Sequence, residues 1–384
     1  MGRRSAPHIL IVAGEASGDL HGAHLAKALR ERAPGVTIAA MGGKALAAEG
    51  VTMLADAAKL AVVGIFEVIG HLGDIRAAMT TLTRHLREER PDLLVLIDYP
   101  DFNLLLARRA KKLGIPILYY ISPQVWAWRS GRVRTIRRLV DRMAVILPFE
   151  QDFYARHGMK VDFVGHPLLD SVGTTLPREA FCARHAIDPG NTLVGLLPGS
   201  RKKEIGAMLP LFLAAAEQLA GRRPGLTFLI PLAPTLSRAD LDQWGLHDTG
   251  LDIRVIEEER YDLMTACHAV MAASGTVTLE LAILGVPMVV SYRVSPLTYT
   301  LGRRLIKVPY ASLVNLVADE RVVEELLQEE ATPEKLGMAV GRLLDDAPYR
   351  QAMIARLARV RAALGEPGAS RRTACLALAM IGRS

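Results

Sequence analysis

Short, mainly apolar runs recur along the chain, most followed by a glycine-containing or polar turn and then by apolar residues at helical spacing. In the first half the runs are 9–13, 36–40, 93–97, 117–121, 142–147 and 161–164. In the second half they are 191–196, 227–231, 252–256, 269–273 and 288–290. Continuous rather than alternating apolar character marks strands buried on both faces of a parallel sheet. Helical spacing is clearest over 20–32, where Leu25, Ala28 and Leu29 share a face, and over 103–113 and 260–266. The tail from Thr332 reads as helical, with a break around Gly365–Gly368. The pattern predicts an α/β fold built from two strand–helix series.

Residues 60–75 break the rhythm. Val62, Ile65, Phe66, Ile69 and Leu72 fall on one helical face, and Val63, Val68 and Ile75 widen it beyond an ordinary amphipathic stripe. This is either a fully buried helix or an exposed patch. In the second case Val63, Phe66, Ile69 and Leu72 would contact acyl chains or a bilayer surface.

Length and charge sharpen the picture. The chain has 384 residues, which suits two domains rather than one core. Gly165-His166-Pro167-Leu168 is the expected linker, with His166 read as a hinge residue ahead of a catalytic one. The expected division is 1–165, 166–345 and a helical tail 346–384. The formal charge of +7 calls for an anionic partner, while 5% aromatic content argues against stacking on nucleic acid. Arg129, Arg132, Arg134, Arg137, Arg138 and Arg142 face one opposing charge, Asp141, so they form a solvated face or a contact for anionic lipid. Cys182, Cys267 and Cys375 are odd in number and lack metal-ligand spacing, as in a reducing cytosol. No apolar stretch reaches the roughly 18–20 residues of a spanning helix, and the basic N-terminus lacks the apolar run of a signal peptide.

The candidate chemistry lies where strands run into turns. Ser274-Gly275-Thr276 follows one buried strand and opens a helix carrying Glu280. A helix N-terminus presents unpaired N–H groups and partial positive charge that suit a phosphate. Glu280, one turn further in, suits a ribose diol. The same stretch also reads as an ordinary βαβ turn. Gly199-Ser200-Arg201 follows another strand, and Arg201 can hold a diphosphate in a two-pronged grip. In the first half, Asp98 comes directly off a central strand, where a ligand-binding crevice forms in open α/β sheets, and is the better general base. Asp101 more naturally caps the next helix. Glu15 and Asp19 flank Gly18 after the first strand; they suit sugar hydroxyls or proton transfer, and Asp19 also reads as a helix cap. There is no G-x-G-x-x-G dinucleotide fingerprint there.

Seven segments in order carry a resemblance: GEASGD (14–19), IDYPDFN (97–103), SPQVWAWR (122–129), GHPLLD (165–170), LLPGSRKKEI (196–205), SGTVTLELAILGVP (274–287) and VVEELLQ (322–328). Together they resemble the lipid-A-disaccharide synthases, bacterial glycosyltransferases, over residues 9–328. Two positions depart: Val314 stands where the family tends to have a proline before the asparagine, and Glu324 where a proline usually precedes the glutamate.

The resemblance implies a GT-B fold, two Rossmann-like domains facing across a cleft with C-terminal helices crossing back. It implies an inverting transfer from UDP-2,3-diacylglucosamine to 2,3-diacylglucosamine 1-phosphate (lipid X), giving a β-1,6-linked disaccharide and UDP. It implies no metal and no cofactor, so the protein itself must neutralise the phosphates. Asp98 is then the expected base, with Glu15 and Asp19 as runners-up. Gly199, Ser200, Arg201, Ser274, Gly275, Thr276, Glu280 and Asn315 are the expected substrate contacts. The expected location is the inner face of the cytoplasmic membrane, held peripherally on an anionic surface. No nucleic-acid partner is expected, and a homodimer is among the states the sequence admits. The rival readings are a UDP-N-acetylglucosamine epimerase of the same fold and a membrane-bound nucleotide-binding module without turnover; a nicotinamide-dependent oxidoreductase is disfavoured by the missing fingerprint.

Overall fold

The computed structural model describes residues 6–57, 72–295, 299 and 308–382. It divides into two compact units, Met1–Asp170 with Gly365–Ser384, and Ser171–Leu364. The first contains seven strands: β1 (His8–Ala13), β2 (Thr37–Gly42), β3 (Thr52–Asp56), β4 (Leu93–Ile97), β5 (Ile117–Tyr120), β6 (Arg142–Val145) and β7 (Asp162–Phe163). All pairings are parallel, in the order β3-β2-β1-β4-β5-β6-β7. The helices that matter here are α1 (Ala16–Arg32), α2 (Lys44–Ala48), α3 (Leu72–Glu88) and α4 (Pro100–Lys112).

Alternation within the buried strands builds two cores. Ile9, Ile11, Leu93, Val95 and Ile97 pack with Leu25 and Leu29 of α1 on one face. Leu10, Val12, Leu94 and Leu96 pack with Leu82, Leu86 and Leu106 on the other. Strands lined on both sides in this way have no polar face, which is why they read as unbroken apolar runs.

The second unit repeats the plan with β8 (Thr192–Leu197), β9 (Leu226–Pro231), β10 (Ile253–Ile256), β11 (Ala269–Ala273), β12 (Met288–Tyr292) and β13 (Glu324–Leu327). These are parallel in the order β10-β9-β8-β11-β12-β13. Its relevant helices are α5 (Lys202–Arg222), α6 (Val277–Leu284), α7 (Leu313–Ala318), α8 (Pro333–Asp345) and α9 (Ala347–Ala363). A last helix, α10 (Ala369–Met380), returns to the first unit and packs Ala374, Ala377 and Leu378 into the core beside α1.

The structure differs from the sequence expectation in several places. β3 and β13 lie at sheet edges, where β3 is only partly covered and β13 opens with two glutamates, so neither makes an apolar run. The unit boundary falls after Asp170 instead of Gly165. The tail does not cross back as a whole: α9 stays with the second unit, burying Met353, Leu357 and Val360. Asn315, an expected substrate contact, lies in the short helix α7. Val63, Phe66 and Ile69, the acyl-chain candidates, lie outside the described residues; Leu72 opens α3 and its side chain also lies outside them.

The arginine run is partly paired. Arg132 and Arg129 reach Asp101, and Arg142 forks onto Asp162. Asp101 thus lies in the first turn of α4 with an arginine partner and is not the helix cap; Tyr99 occupies that position. Asp141, expected to oppose the arginines, instead pairs with Lys111 and accepts from Ile117 N. Among the described residues no helix is long and apolar enough to cross a membrane.

One buried acid ties the SPQVWAWR segment down. Glu150 is 1% exposed, and its Oε2 accepts from Leu147 N at 3.0 Å and Ile146 N at 3.2 Å. Ser122 and Trp126 also face its carboxyl. Burial pushes the Glu150 pKa up from 4.5 to about 7, against the pull of those donors. The folded protein therefore holds a proton that the unfolded chain releases. This stabilisation is full below about pH 4.5 and is lost as pH rises through about 7. Glu150→Gln keeps an acceptor but cannot ionise. Denaturant unfolding at pH 5 and pH 8 should show wild type losing on the order of 3 kcal/mol more than the variant across that interval. Equal losses would remove the shifted carboxyl.

Candidate active site

In both sheets the strand order reverses direction once, between β1 and β4 and between β8 and β11. The loops leaving two such strands run to opposite faces of the sheet and open a crevice at its carboxyl edge. The register brings the turns together. Ala13 pairs with Ile97, so Gly14-Glu15 and Asp98 leave the first sheet side by side. Leu197 pairs with Ala272, so Gly199-Ser200-Arg201 and Ser274-Gly275-Thr276 do the same in the second.

The first unit's switch point is acidic. Asp98 and Tyr99 both have left-handed backbones, with φ of 43° and 45°. Tyr99 lies against Gly14, where an added Cβ would come within 2.2 Å of the ring. Burial raises the Asp98 pKa from 3.8 to about 6, helped by the charge of Glu15 and opposed by a bond from the Tyr99 backbone. Glu15 is exposed, at the N-cap position of α1. Asp19 is differently engaged. It is 7% exposed, and its two oxygens accept from Gly43 N at 2.6 Å, Ala45 N at 2.9 Å and Leu46 N at 3.1 Å. It caps α2 from a distance instead of its own helix, and the carboxylate is committed to backbone. His166 is buried and His21 beside it partly buried, and desolvation lowers their pKa values to about 3 and about 4.

The second unit's switch point is built around backbone and arginine. Gly199 has φ of 117°, and a Cβ there would come within 2.6 Å of Glu204. Glu204 Oε2 accepts from Ser200 N at 3.0 Å and Arg201 N at 3.3 Å, so these amides are held by the helix's own carboxylate. The Arg201 guanidinium is 66% exposed and makes one long contact with Glu204, at 3.4 Å. Gly275 and Thr276 are exposed at the N-terminus of α6. Ser274 Oγ donates to Ala311 O at 2.8 Å. Glu280 is 6% exposed and paired with Arg260 at 2.7 Å; burial raises its pKa while the Arg260 charge lowers it.

Asn315 is 0% exposed, and its whole amide is used. Nδ2 donates to Glu325 Oε1 at 2.8 Å and Val323 O at 3.0 Å. Oδ1 accepts from Val322 N at 2.9 Å and Val323 N at 3.0 Å. Two donors and two lone pairs are thus all occupied, which leaves the side chain nothing to offer a ligand. Its place is behind the site. Glu325 also accepts from Ala311 N, Ser312 N and Ser312 Oγ, so the pair pins the 311–312 loop beside Ser274. The proline departures do not disturb this: Val314 is a buried residue of α7, and Glu324 opens β13.

The structure thus brings Glu15 to Asp98, and Gly199–Arg201 to Ser274–Thr276, while Asp19 and Asn315 serve the protein's own backbone. Arg260, Glu325 and Asn103 carry roles the sequence pattern does not mark. Arg260 and Glu325 sit in runs of charge, EEER and EELL, that look solvated. Asn103 lies inside a helical pattern. Among the described residues no cluster of three or more His, Cys, Asp or Glu could hold a metal ion. Asn315→Ala should strand several buried groups at once and lower unfolding stability by on the order of 3 kcal/mol. An unchanged denaturation midpoint would show the amide is not the clamp of the α7–β13 connection.

Comparison with known proteins identifies the family and the fold. A family model described as lipid-A-disaccharide synthetase matches residues 9–380. The chain is 49% identical over 383 residues to the lipid-A-disaccharide synthase of Geobacter sulfurreducens, covering 100% of both chains. It is 50% identical over 376 residues to that of Trichlorobacter lovleyi, covering 98% of each. Among solved structures it is similar to the UDP-GlcNAc 2-epimerase from Neisseria meningitidis bound to UDP-GlcNAc, with a TM-score of 0.66, 13% identity and coverage of 98% and 100%. It is also similar to the calicheamicin glycosyltransferase, with a TM-score of 0.62, 17% identity and coverage of 99% of each chain. At such identities these structures establish the fold alone, the GT-B arrangement of two Rossmann-like domains, and the epimerase likeness goes no further. The near-half identity to the synthases over full length is of another order: the chain belongs to the lipid-A-disaccharide synthetase family, glycosyltransferases that form the lipid A disaccharide.

Proposed function

We propose that the second unit binds the UDP end of UDP-2,3-diacylglucosamine and that the first binds lipid X, with Asp98 as general base. The observation that carries this reading is the contrast between the two switch points, acidic at β1/β4 and arginine-bearing at β8/β11. Asp98 takes the proton from the acceptor 6-hydroxyl. The freed oxygen attacks the anomeric carbon from the face opposite the diphosphate, the C1–O bond breaks, and UDP departs with inversion. Arg201 and the first N–H groups of α6 stabilise the charge building on the diphosphate. Gly275 supports that role, because a Cβ there would meet nothing within 4 Å and its φ does not demand glycine. Glu280 takes the ribose, with Arg260 fixing one of its oxygens. Glu15 assists by holding the Asp98 proton affinity up. Gly199 and Ser200 shape the turn that presents Arg201, and Asn315 supports the loop beside Ser274 without touching substrate.

Incubating the protein with UDP-2,3-diacylglucosamine and lipid X should release UDP and a disaccharide 1-phosphate detectable by mass. Asp98→Asn should lower kcat by about 10²–10⁴, and Arg201→Ala should weaken UDP binding together with turnover. Since a base must be ionised, kcat/KM should fall about tenfold per pH unit below about 6 and level off above it. Near-normal turnover by Asp98→Asn at saturating substrates would remove it from the base role.

We also propose that the chain works on the cytoplasmic face of the inner membrane, held peripherally by charge. The formal charge of +7 and the exposed Arg134, Arg137 and Arg138 of the helix Val133–Leu139 support this. The protein should sediment with vesicles containing phosphatidylglycerol, be released by high salt, and ignore phosphatidylcholine vesicles. Arg134→Glu with Arg138→Glu should weaken that binding, and salt-insensitive binding to both vesicle types would point to apolar contacts instead.

A further inference from the structure

A strand that ends in a tight turn normally uses glycine where φ must be positive. β4 does not. It runs into two consecutive left-handed residues, Asp98 and Tyr99, each costing about 1–3 kcal/mol in that conformation. Such strain persists only where the surroundings hold it. Here the holding group can be named. Asn103 is fully buried in the second turn of α4, and its Nδ2 donates to Asp98 O at 2.7 Å and Ile97 O at 3.1 Å. The Tyr119 hydroxyl, from the neighbouring strand β5, donates to the same Asp98 carbonyl. Burial keeps that phenol protonated, since its pKa lies well above the ordinary value. Tyr99 is fixed from the other side, its ring between Gly14 and Phe102, with ring centroids 5.7 Å apart for the latter pair.

We propose that Asn103 is a positioning residue for Asp98: its buried amide holds the Ile97–Tyr99 turn left-handed and so fixes the carboxylate beside Glu15 at the carboxyl edge of the first sheet. Tyr119 is its partner in this. The inference rests on the reading of Asp98 as the base. Asn103 has no exposed surface and touches no reacting atom, so it acts only through the turn. A simple helix-anchoring role would need neither the bond to Ile97 O nor the second donor from β5.

The electrostatic surroundings give the test a specific readout. Asp98 is faced by Glu15 from the β1–α1 loop and by Tyr119 from β5, with Tyr99 and Asp101 in its own turn. Arg132 reaches Asp101 and acts by its charge on Tyr119. Burial and Glu15 together raise the Asp98 proton affinity. A turn released from its clamp lets water reach the carboxylate and lowers that affinity.

The experiment compares wild type, Asp98→Asn, Asn103→Ala, Tyr119→Phe and the Asp98→Asn/Asn103→Ala double variant, using the donor and lipid X. Asn103→Ala should lower kcat by about 10- to 100-fold with KM values changed less than about threefold, as for a misplaced catalytic group. Its acid limb in kcat/KM should move below the wild-type value near 6. Tyr119→Phe should move both quantities the same way by less. The double variant should be no slower than Asp98→Asn alone. A double variant slower than Asp98→Asn by the whole Asn103→Ala factor would overturn the positioning role and leave the base reading intact. An unmoved acid limb in a folded Asn103→Ala would do the same. Near-wild-type turnover by Asp98→Asn would sink the base reading, and this inference with it. If Asn103→Ala shows no cooperative unfolding transition, Tyr119→Phe decides: it removes one hydroxyl and keeps the ring packed, and wild-type kinetics from it would overturn the proposal.

Discussion

Everything in this protein that bears on chemistry depends on one constraint: a parallel strand buried on both faces can offer polar groups only at its ends. Apart from His8 and Thr192 at their starts, β1, β4, β8 and β11 are apolar, and they are almost wholly buried. Their apolar side chains go into the interior, and none is left for a substrate. The turns at the carboxyl ends must therefore carry the function, and the reversal of strand order decides which turns meet. In each unit the register places two of these turns side by side, and the residues they hold are opposite in character.

That opposition has a simple electrostatic logic. A base for a sugar hydroxyl needs a carboxylate whose proton affinity has been raised toward neutrality, and Asp98 obtains this from burial and from Glu15. A departing diphosphate needs positive charge and donors already in place, so that nothing reorganises as charge develops. In the proposed mechanism Arg201 and the start of α6 supply these. Glu204 occupies the Ser200 and Arg201 amides, which leaves the guanidinium as that turn's main contribution.

Around both switch points, loops are fixed by buried or partly buried polar side chains that bond chiefly to backbone. Asp19 caps α2, Asn103 holds the Asp98 turn, Glu150 gathers the segment after β5, and Asn315 with Glu325 holds the loop beside Ser274. A buried polar group is costly unless paired, so each of these clamps has few alternative arrangements. The effect is to give irregular segments the definition that helices and strands obtain from their own ladders. It also explains why residues such as Asp19 and Asn103 bond to the protein's own backbone instead of facing the crevice.

Much of this was legible in the sequence. The interior strands announce themselves, because burial on both faces requires unbroken apolar runs, and the pairing of Arg201 with the Ser274–Thr276 turn follows from two strand–turn–helix units in one series. Seven ordered motifs carried the family. The edge strands β3 and β13 were not legible, since an edge needs no apolar run. Nor were the roles of Asp19 and Asn315. A carboxylate after a glycine and an asparagine after an apolar residue look alike whether they meet a ligand or a backbone amide brought in from 7 to 27 residues away. Which it is depends on where the chain returns. The same holds for Asp98. Its place at a strand end is local information, but its raised proton affinity comes from burial and from Glu15, and Tyr119 reaches its carbonyl from the next strand; these surroundings exist only once the sheet has formed.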